Sequence, residues 1–384
     1  MEQLVTSDLK LGIIAGGQLA KMLIQEAGKW DIITYVLDEE ENCPAAGIAS
    51  FFIKGNHTDY NSVYRFGKMV DILTFEIENI NIDALKQLKS EGLRIAPDPE
   101  VLELFQDKGL QKEFYLKNNI PTSSYKVFTN ASEIYGSINN HEIIFPFVQK
   151  LRKGGYDGRG VAVINNESEL HKLLQGTSIV EDKIEITKEI SVIAARNLKG
   201  EIKCFPVVEM IFDSNANLVD KLICPAAITP EQSDKAIHIA SRIIAELNMT
   251  GLFAVEFFID EKGDVIVNES APRPHNSGHH TIESVMTSQF EQHLRAILNL
   301  PLGSTQLKLP AVMVNILGSE NHEGTVRYEG LTESMAIEGV KIHLYGKKIT
   351  RPFRKMGHVT ILDNDINNAL KKVEYITKHL KAIA

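Results

Sequence analysis

Cysteine is scarce in this 384-residue chain. The three present, Cys43, Cys204 and Cys224, are odd in number and far apart. That spacing excludes a disulfide framework and a cysteine-based zinc site, and it points to a reducing compartment. Net positive charge is also missing. The formal charge is −9, so no global field attracts nucleic acid, and an anionic substrate must be held by local basic clusters. No apolar run approaches the roughly 20 residues of a membrane helix. The N-terminus carries Glu2 and no basic segment, so no signal peptide is expected. No Gly-Lys-Ser/Thr triplet occurs, which excludes a Walker phosphate loop. Internal repeats and low-complexity segments are absent. With 43% hydrophobic and 24% charged residues, the chain reads as a soluble cytoplasmic enzyme of two or three domains.

The periodicities divide the chain. LKLGIIAGGQLAKMLIQEAGKW reads as strand, glycine turn and helix, with Leu19, Met22, Leu23 and Ala27 at helical spacing. IITYVLD, DILTFEIENI and LRIAP are further strands, and IDALKQLKS is a helix. This alternation predicts an α/β domain with an open, doubly wound parallel sheet, ending near residues 97–99. LELFQDKGLQKEFYLKNN predicts one continuous helix, stopped by Pro121. A compact segment over about residues 120–182 holds strands, a glycine-rich loop and the helix ESELHKLLQ. From about residue 183, long strands joined by turns predict an antiparallel sheet of α+β character, with SDKAIHIASRIIAELN as a helix among them.

LFAVEFFIDEKGDVIVNES reads as a hairpin with Lys262-Gly263 as a two-residue loop. Counting outward from the loop sets Phe257 opposite Asn268 and Glu256 opposite Glu269. Opposed side chains lie roughly 5 Å apart, and like charges there repel, the more so when partly buried. A hard cation between them removes the repulsion; Mg²⁺ held by one or two carboxylates and substrate phosphates suits these ligands, with Asn268 adding a neutral oxygen. The same segment also allows one glutamate to turn outward or stay protonated.

GGYDGRG, residues 154–160, lies between apolar strands rather than before a helix. It reads as a hairpin tip whose amides could close over a ligand, with Lys150 and Arg159 available for phosphate, or as a plain flexible turn. In NESAPRPHNSGHHTIE, residues 268–283, Arg273, His275 and Asn276 follow the metal strand and could hold a second anion or polarise a carbonyl. The His279-His280 pair lacks further zinc ligands at suitable spacing. YGKKITRPFRKMGH, residues 345–358, concentrates Lys347, Lys348, Arg351, Arg354 and Lys355. It is either a solvated loop or a pocket for a phosphorylated small molecule.

Taken together, GGYDGRG, VNESAPRPHNSGHHTIE, MVNILGSE and RPFRKMGH resemble the N5-carboxyaminoimidazole ribonucleotide synthases, an ATP-grasp family of purine biosynthesis. The resemblance runs from GGQLAKML to the tail. It implies an ATP-grasp fold in three parts: an N-terminal preATP-grasp domain (1–105), a small lid (106–182) and a larger antiparallel-sheet domain with a C-terminal extension (183–384). It implies ATP-dependent carboxylation of 5-aminoimidazole ribonucleotide by bicarbonate, through carboxyphosphate, in a cytoplasmic homodimer with no nucleic-acid or membrane partner. ATP binds with Mg²⁺, or Mn²⁺ as the alternative, at Glu256 and Glu269.

By the same resemblance, Lys108 and Lys150 match the ATP-phosphate and nucleobase-side basic residues, and Asn268 and Glu269 belong to the ATP site. Glu181 with Asp182, Lys183 and Ile184 forms the adenine hinge, and Glu189 holds the ribose. The loop Gly155, Tyr156, Asp157, Gly158, Arg159 and Gly160 covers the nucleotide. Arg273, His275 and Asn276 match the bicarbonate and carboxyphosphate site. Tyr156, Asp157, Arg159, Lys347 and Arg354 match positions that meet the ribonucleotide, as do Gln18, Glu76 and Glu78.

The chain departs from the family pattern at Ala15 and Ala20, where glycines are usual, and at His280, where an aromatic residue is common. Other classes explain less. A Rossmann dehydrogenase, suggested by AGGQLA followed by Asp38, leaves the carboxylate hairpin unexplained. A formate-using transformylase or a biotin-dependent carboxylase subunit shares the ATP-grasp chemistry. An inactive homologue would have lost a metal carboxylate or a lid residue.

Overall fold

The computed structural model describes residues 4, 6–155, 160–213 and 218–384. The chain opens with β1 (Lys10–Ile14), α1 (Gln18–Gly28), β2 (Ile33–Asp38), β3 (Phe51–Lys54), α2 (Tyr60–Gly67), β4 (Ile72–Phe75), α3 (Ile82–Ser90) and β5 (Arg94–Ile95). The strands form a parallel sheet in the order β3-β2-β1-β4-β5. The predicted apolar stripe Leu19, Met22, Leu23 and Ala27 is the buried face of α1. Strand order reverses between β1 and β4, and such a switch point leaves a crevice beyond the carboxyl ends of the strands. Gly16 and Gly17 after β1, and Glu76 after β4, lie at that end.

The single helix expected over 102–119 is two helices, α4 (Pro99–Phe105) and α5 (Lys108–Lys117). Asp107 makes the break. Its carboxylate caps α5 by accepting from the amides of Gly109 (2.8 Å) and Leu110 (3.3 Å), and it pairs with Arg152 Nε at 2.7 Å. The next elements are β6 (Tyr125–Phe128), α6 (Ala131–Asn139), β7 (Phe147–Leu151), β8 (Val161–Ile164) and β9 (Ser178–Asp182). They form an antiparallel sheet ordered β6-β9-β7-β8 over its own apolar core. ESELHKLLQ forms only a 3₁₀ turn, Glu167–Lys172. Leu173 turns extended, and the amide of Leu174 donates to Gln149 Oε1 at 2.8 Å instead of continuing a helix.

The rest is built on one antiparallel sheet. Its elements run β10 (Ile186–Arg196), β11 (Ile202–Cys204), β12 (Val208–Asp213), β13 (Leu218–Cys224), α7 (Pro230–Glu246), β14 (Gly251–Asp260), β15 (Val265–Ala271), α8 (Thr281–Ser284), α9 (Gln289–Ile297) and β16 (Ala311–Leu317). There follow β17 (Gly324–Thr325), β18 (Arg327–Glu329), α10 (Leu331–Met335), β19 (Val340–Leu344), β20 (Ile349–Thr350), β21 (Lys355–Leu362), α11 (Ile366–His379) and β22 (Lys381–Ile383). The sheet order is β15-β14-β10-β12-β13-β16-β21-β19, with β11 on β10. Alternate residues of β14, from Phe253 to Ile259, are buried against α7, so Glu256 and Phe258 face the other way.

Helix α9 joins the N-terminal sheet to this one. Phe290, Leu294 and Ile297 pack with β1 and α1. The buried His293 contacts Thr74 Oγ1 through Nε2 (2.8 Å) and accepts from the Leu252 amide at Nδ1 (3.2 Å). At the tail, Lys21 of α1 donates to the carbonyls of Leu344 and Tyr345 at 3.1 and 3.0 Å.

Candidate active site

Glu256 and Glu269 are directly paired across β14 and β15, as the sequence count requires, but by another route. The loop is not two residues. Asp260 donates its amide to Asp264, and Glu261, Lys262 and Gly263 form the turn, with Gly263 at φ +84°. That would shift the pairing by one, and the ladder next to the loop is shifted: Phe257 faces Val267, not Asn268. A β-bulge at Asn268 then restores the register. A bulge re-aims consecutive side chains, and here both reach one cleft. Asn268 Oδ1 accepts from Lys150 Nζ at 2.8 Å, and Glu269 Oε2 pairs with Lys108 Nζ.

The two carboxylates sit in unlike fields. Burial, with the charge of Glu269 beside it, pushes Glu256 up to about 8. Lys108 outweighs burial at Glu269 and holds it down at about 2. Burial also pushes Glu189 of β10 up to about 7, with Glu269 adding to the effect against Lys150. Glu189 and Ser191 pair with Phe258 and Glu256, so three carboxylates share one face of the sheet. Among the described residues no three His, Cys, Asp or Glu side chains are grouped to hold a metal ion. A cation at Glu256, Glu269 and Asn268 therefore depends on other oxygens, such as phosphate, for the rest of its shell.

Behind these groups runs a ladder of charges. Glu181 of β9 is bracketed by Lys150 (2.7 Å) and Lys112 (2.5 Å). Burial alone would raise Glu181, but the two lysines hold it down at about 2. Its carboxylate is thus engaged by both lysines. The amides of Asp182 and Lys183 are also engaged, donating to Ser124 (3.2 Å) and Pro146 (3.4 Å), while Ile184 lies between β9 and β10. The sequence reading passes over Lys112, since a lone lysine in a helix reads as solvated. Its i, i+4 spacing from Lys108 was the available clue.

Of the glycine loop, Gly155 and Gly160 are described, and Tyr156, Asp157, Gly158 and Arg159 lie outside the described residues. The loop is pinched at its base: a side chain on Gly160 would come within 3.2 Å of the Gly155 Cα.

The segment after β15 crosses to the N-terminal sheet. Arg273 Nε donates to Glu78 Oε1 at 2.8 Å. His275 is clamped by Gln289, which accepts its amide (2.9 Å) and donates to its carbonyl (2.8 Å). His275 Nδ1 accepts from the Ser277 amide, which in the neutral ring leaves the proton on Nε2, 3.4 Å from Glu256 Oε1. Asn276 Nδ2 is buried without a hydrogen-bond partner, a donor free for an oxyanion. Gln289 was not legible from sequence. His279 and His280 are buried, and burial lowers both, His280 to about 4.

The two N-terminal glutamates separate. Glu76 is buried, and its carboxylate accepts from the amides of Gly17 and Ala20, at 2.8 Å for Ala20, so it caps the N-terminus of α1. Glu78 meets Arg273. Gln18 is the first residue of α1. In the tail, Lys347 donates to the Lys355 carbonyl (2.8 Å) with its ammonium 5.6 Å from the Tyr345 ring centre. Arg354 and Arg351 line a cleft of about 520 Å³ with Glu40, Glu41, Asn42, Lys54 and Ile349, between the tail and the β2–β3 connection.

Residues 9–106 match the ribonucleotide synthetase preATP-grasp domain, 113–290 the ATP-grasp domain, and 311–372 the phosphoribosylaminoimidazole carboxylase C-terminal domain. The chain is 36% identical over 365 residues to the Bacillus subtilis N5-carboxyaminoimidazole ribonucleotide synthase, covering 94% of this chain and 93% of that one. It is also 36% identical to a chloroplastic phosphoribosylaminoimidazole carboxylase of Vigna aconitifolia, covering 94% of this chain but 65% of that longer protein. Among solved structures it is similar to the Thermotoga maritima N5-carboxyaminoimidazole ribonucleotide synthetase (TM-score 0.90, 45% identity, 98% and 99% of the two chains). It is likewise similar to the Aspergillus clavatus synthase in complex with ADP and 5-aminoimidazole ribonucleotide (TM-score 0.89, 28% identity, 97% and 99%).

Proposed function

We propose that this chain, which belongs to the N5-carboxyaminoimidazole ribonucleotide synthase family of ATP-grasp enzymes, carboxylates 5-aminoimidazole ribonucleotide with bicarbonate at the expense of ATP. A bicarbonate oxygen attacks the γ-phosphorus and ADP leaves, giving carboxyphosphate. The exocyclic amine then attacks the carboxyl carbon, phosphate departs with the shared oxygen, and the amine loses a proton. The single observation that carries this reading is the convergence of Lys108, Lys150, Asn268, Glu269, Glu256 and His275 at one cleft, linked by the contacts at Glu256, Glu269 and Asn268, with the charge of Arg273 felt at Glu256.

Phosphoryl transfer asks the protein mainly for positioning and charge. Lys108 and Lys150 supply positive charge for the phosphates. Glu189 faces the same surface and suits a ribose hydroxyl. Arg273, fixed by Glu78, and the unpartnered Asn276 amide suit the oxygens of bicarbonate and carboxyphosphate. The His275 Nε2–H adds a donor at their edge. Lys347 and Arg354 suit the ribonucleotide phosphate, and Gly155, Gly160 and the loop between them suit a cover.

The donor set fits Mg²⁺ or Mn²⁺: two opposed carboxylates, one of them strained towards protonation, and an amide oxygen. When bound there by Glu256 and Glu269, the ion would screen the negative charge of the triphosphate. A cytoplasmic homodimer and three domains, 1–105, 106–182 and 183–384, complete the reading. No helix among the described residues is long and apolar enough to cross a membrane.

The test is phosphate release from ATP with bicarbonate, with and without the ribonucleotide, and with formate in place of bicarbonate. Release that needs bicarbonate and yields the carboxylated ribonucleotide supports the reading. Release that follows formate overturns it.

A further inference from the structure

Lys112 has the environment of a residue with a task, yet it cannot touch a ligand. Its side chain is 3% exposed. Its ammonium donates to Thr122 Oγ1 (2.5 Å) and Ser123 Oγ (2.8 Å) and forms an ion pair with Glu181 Oε1 (2.5 Å). Burying a cation this deeply is costly, and burial lowers its pKa to about 8 although Glu181 opposes this. Lys108 precedes it by one helical turn, so α5 presents both lysines on one face. Lys108 meets Glu269 of β15, and Lys112 meets Glu181 of β9. The other oxygen of Glu181 meets Lys150, whose ammonium also reaches Asn268 in the bulge.

One carboxylate thus serves two cations. If Lys112 were removed, Glu181 and Lys150 would form a neutral one-to-one pair, and Lys150 would be drawn back from the phosphate cleft. We infer that Lys112 is a positioning residue for the nucleotide: by occupying one oxygen of Glu181, it keeps Lys150 aimed at Asn268 and leaves it net positive charge for the phosphates. The inference rests on the ATP-grasp reading of the cleft but not on the identity of the second substrate.

The test is Mg·ADP binding by calorimetry on the full chain, with steady-state kinetics alongside. Lys112→Met should weaken ADP about tenfold, whereas the KM values for bicarbonate and the ribonucleotide should move less than about twofold. Lys112→Arg, which keeps the cation, should recover most of the ADP affinity. In a Glu181→Gln background the Lys112→Met change should add little, because the residue through which it acts is already altered. If Lys112→Met does not fold, Lys112→Gln, which keeps a donor without the charge, is read the same way. Unchanged ADP affinity in a folded variant, or a loss shared equally by all three substrates, overturns the inference. A parent protein that binds Mg·ADP but forms no carboxylated product would instead defeat the proposed reaction, leaving the ADP comparison intact.

Discussion

Arg273, just beyond the end of β15, is held by Glu78 of the N-terminal layer at 2.8 Å. The group proposed to hold the activated carboxylate is therefore aimed by a residue from a different sheet. Glu78→Ala should lower kcat/KM for bicarbonate about 10–100-fold while the KM for ATP stays near the parent value, because misaim costs most at the reacting centre. Equal losses for both substrates would show that the pair only braces the layers.

Glu269→Gln should abolish ADP formation with the fold intact, since it removes a charge that faces both Lys108 and the opposed Glu256. Circular dichroism and ADP production check the two halves. Retained turnover would remove Glu269 from the metal site.

Lys347→Ala and Arg354→Ala should mainly raise the KM for the ribonucleotide, because Arg354 lines the cleft beside the β2–β3 connection and Lys347 sits on the same basic tail. An effect confined to ATP would move the ribonucleotide pocket elsewhere.

The turn after β1 makes a backbone prediction. Ala15 has φ +67°, a conformation that disfavours any side chain. Ala15→Gly should leave stability unchanged or raise it by up to about 1 kcal/mol, the relief being offset by chain entropy. Gly17→Ala should cost about 1–3 kcal/mol, because its methyl would collide with the Glu76 carboxylate that caps α1. Urea unfolding of both variants checks the contrast in sign.

Stability should also depend on pH through His293. Burial lowers it from 6.5 to about 3. The folded state thus holds the neutral ring, and unfolding in acid takes up a proton. Its contribution is complete above about pH 6.5 and is lost as pH falls towards the folded value, by about 2 kcal/mol between pH 7 and pH 5. His293→Gln should flatten that slope in denaturant titrations. An equally steep slope would place the proton uptake elsewhere.

The periodic elements of the fold were legible because their burial follows simple repeats: β1, α1, the alternation along β14, and the capped helix α7. The carboxylate pairing was legible only because two departures cancel. The turn holds one residue more than the sequence count, and the bulge at Asn268 takes up the difference. Local sequence could not separate Glu76 from Glu78, since which of them caps α1 depends on where β1 and β4 end relative to one another. The break between α4 and α5 was hidden for a similar reason: Asp107 ends a helix here because Arg152, 45 residues away, pairs with it. Lys112 was hard to see because its charge partner Glu181 comes from another strand, and Gln289 because its clamp on His275 forms only when the loop after β15 folds back on α9.

The central claim is that bicarbonate, not the ribonucleotide, takes the γ-phosphoryl group. Turnover with ¹⁸O-labelled bicarbonate, followed by mass analysis of the released phosphate, tests this directly. The account predicts one labelled oxygen in each inorganic phosphate, carried over when the amine displaces it from carboxyphosphate. Phosphate released without label, alongside carboxylated product, would contradict it.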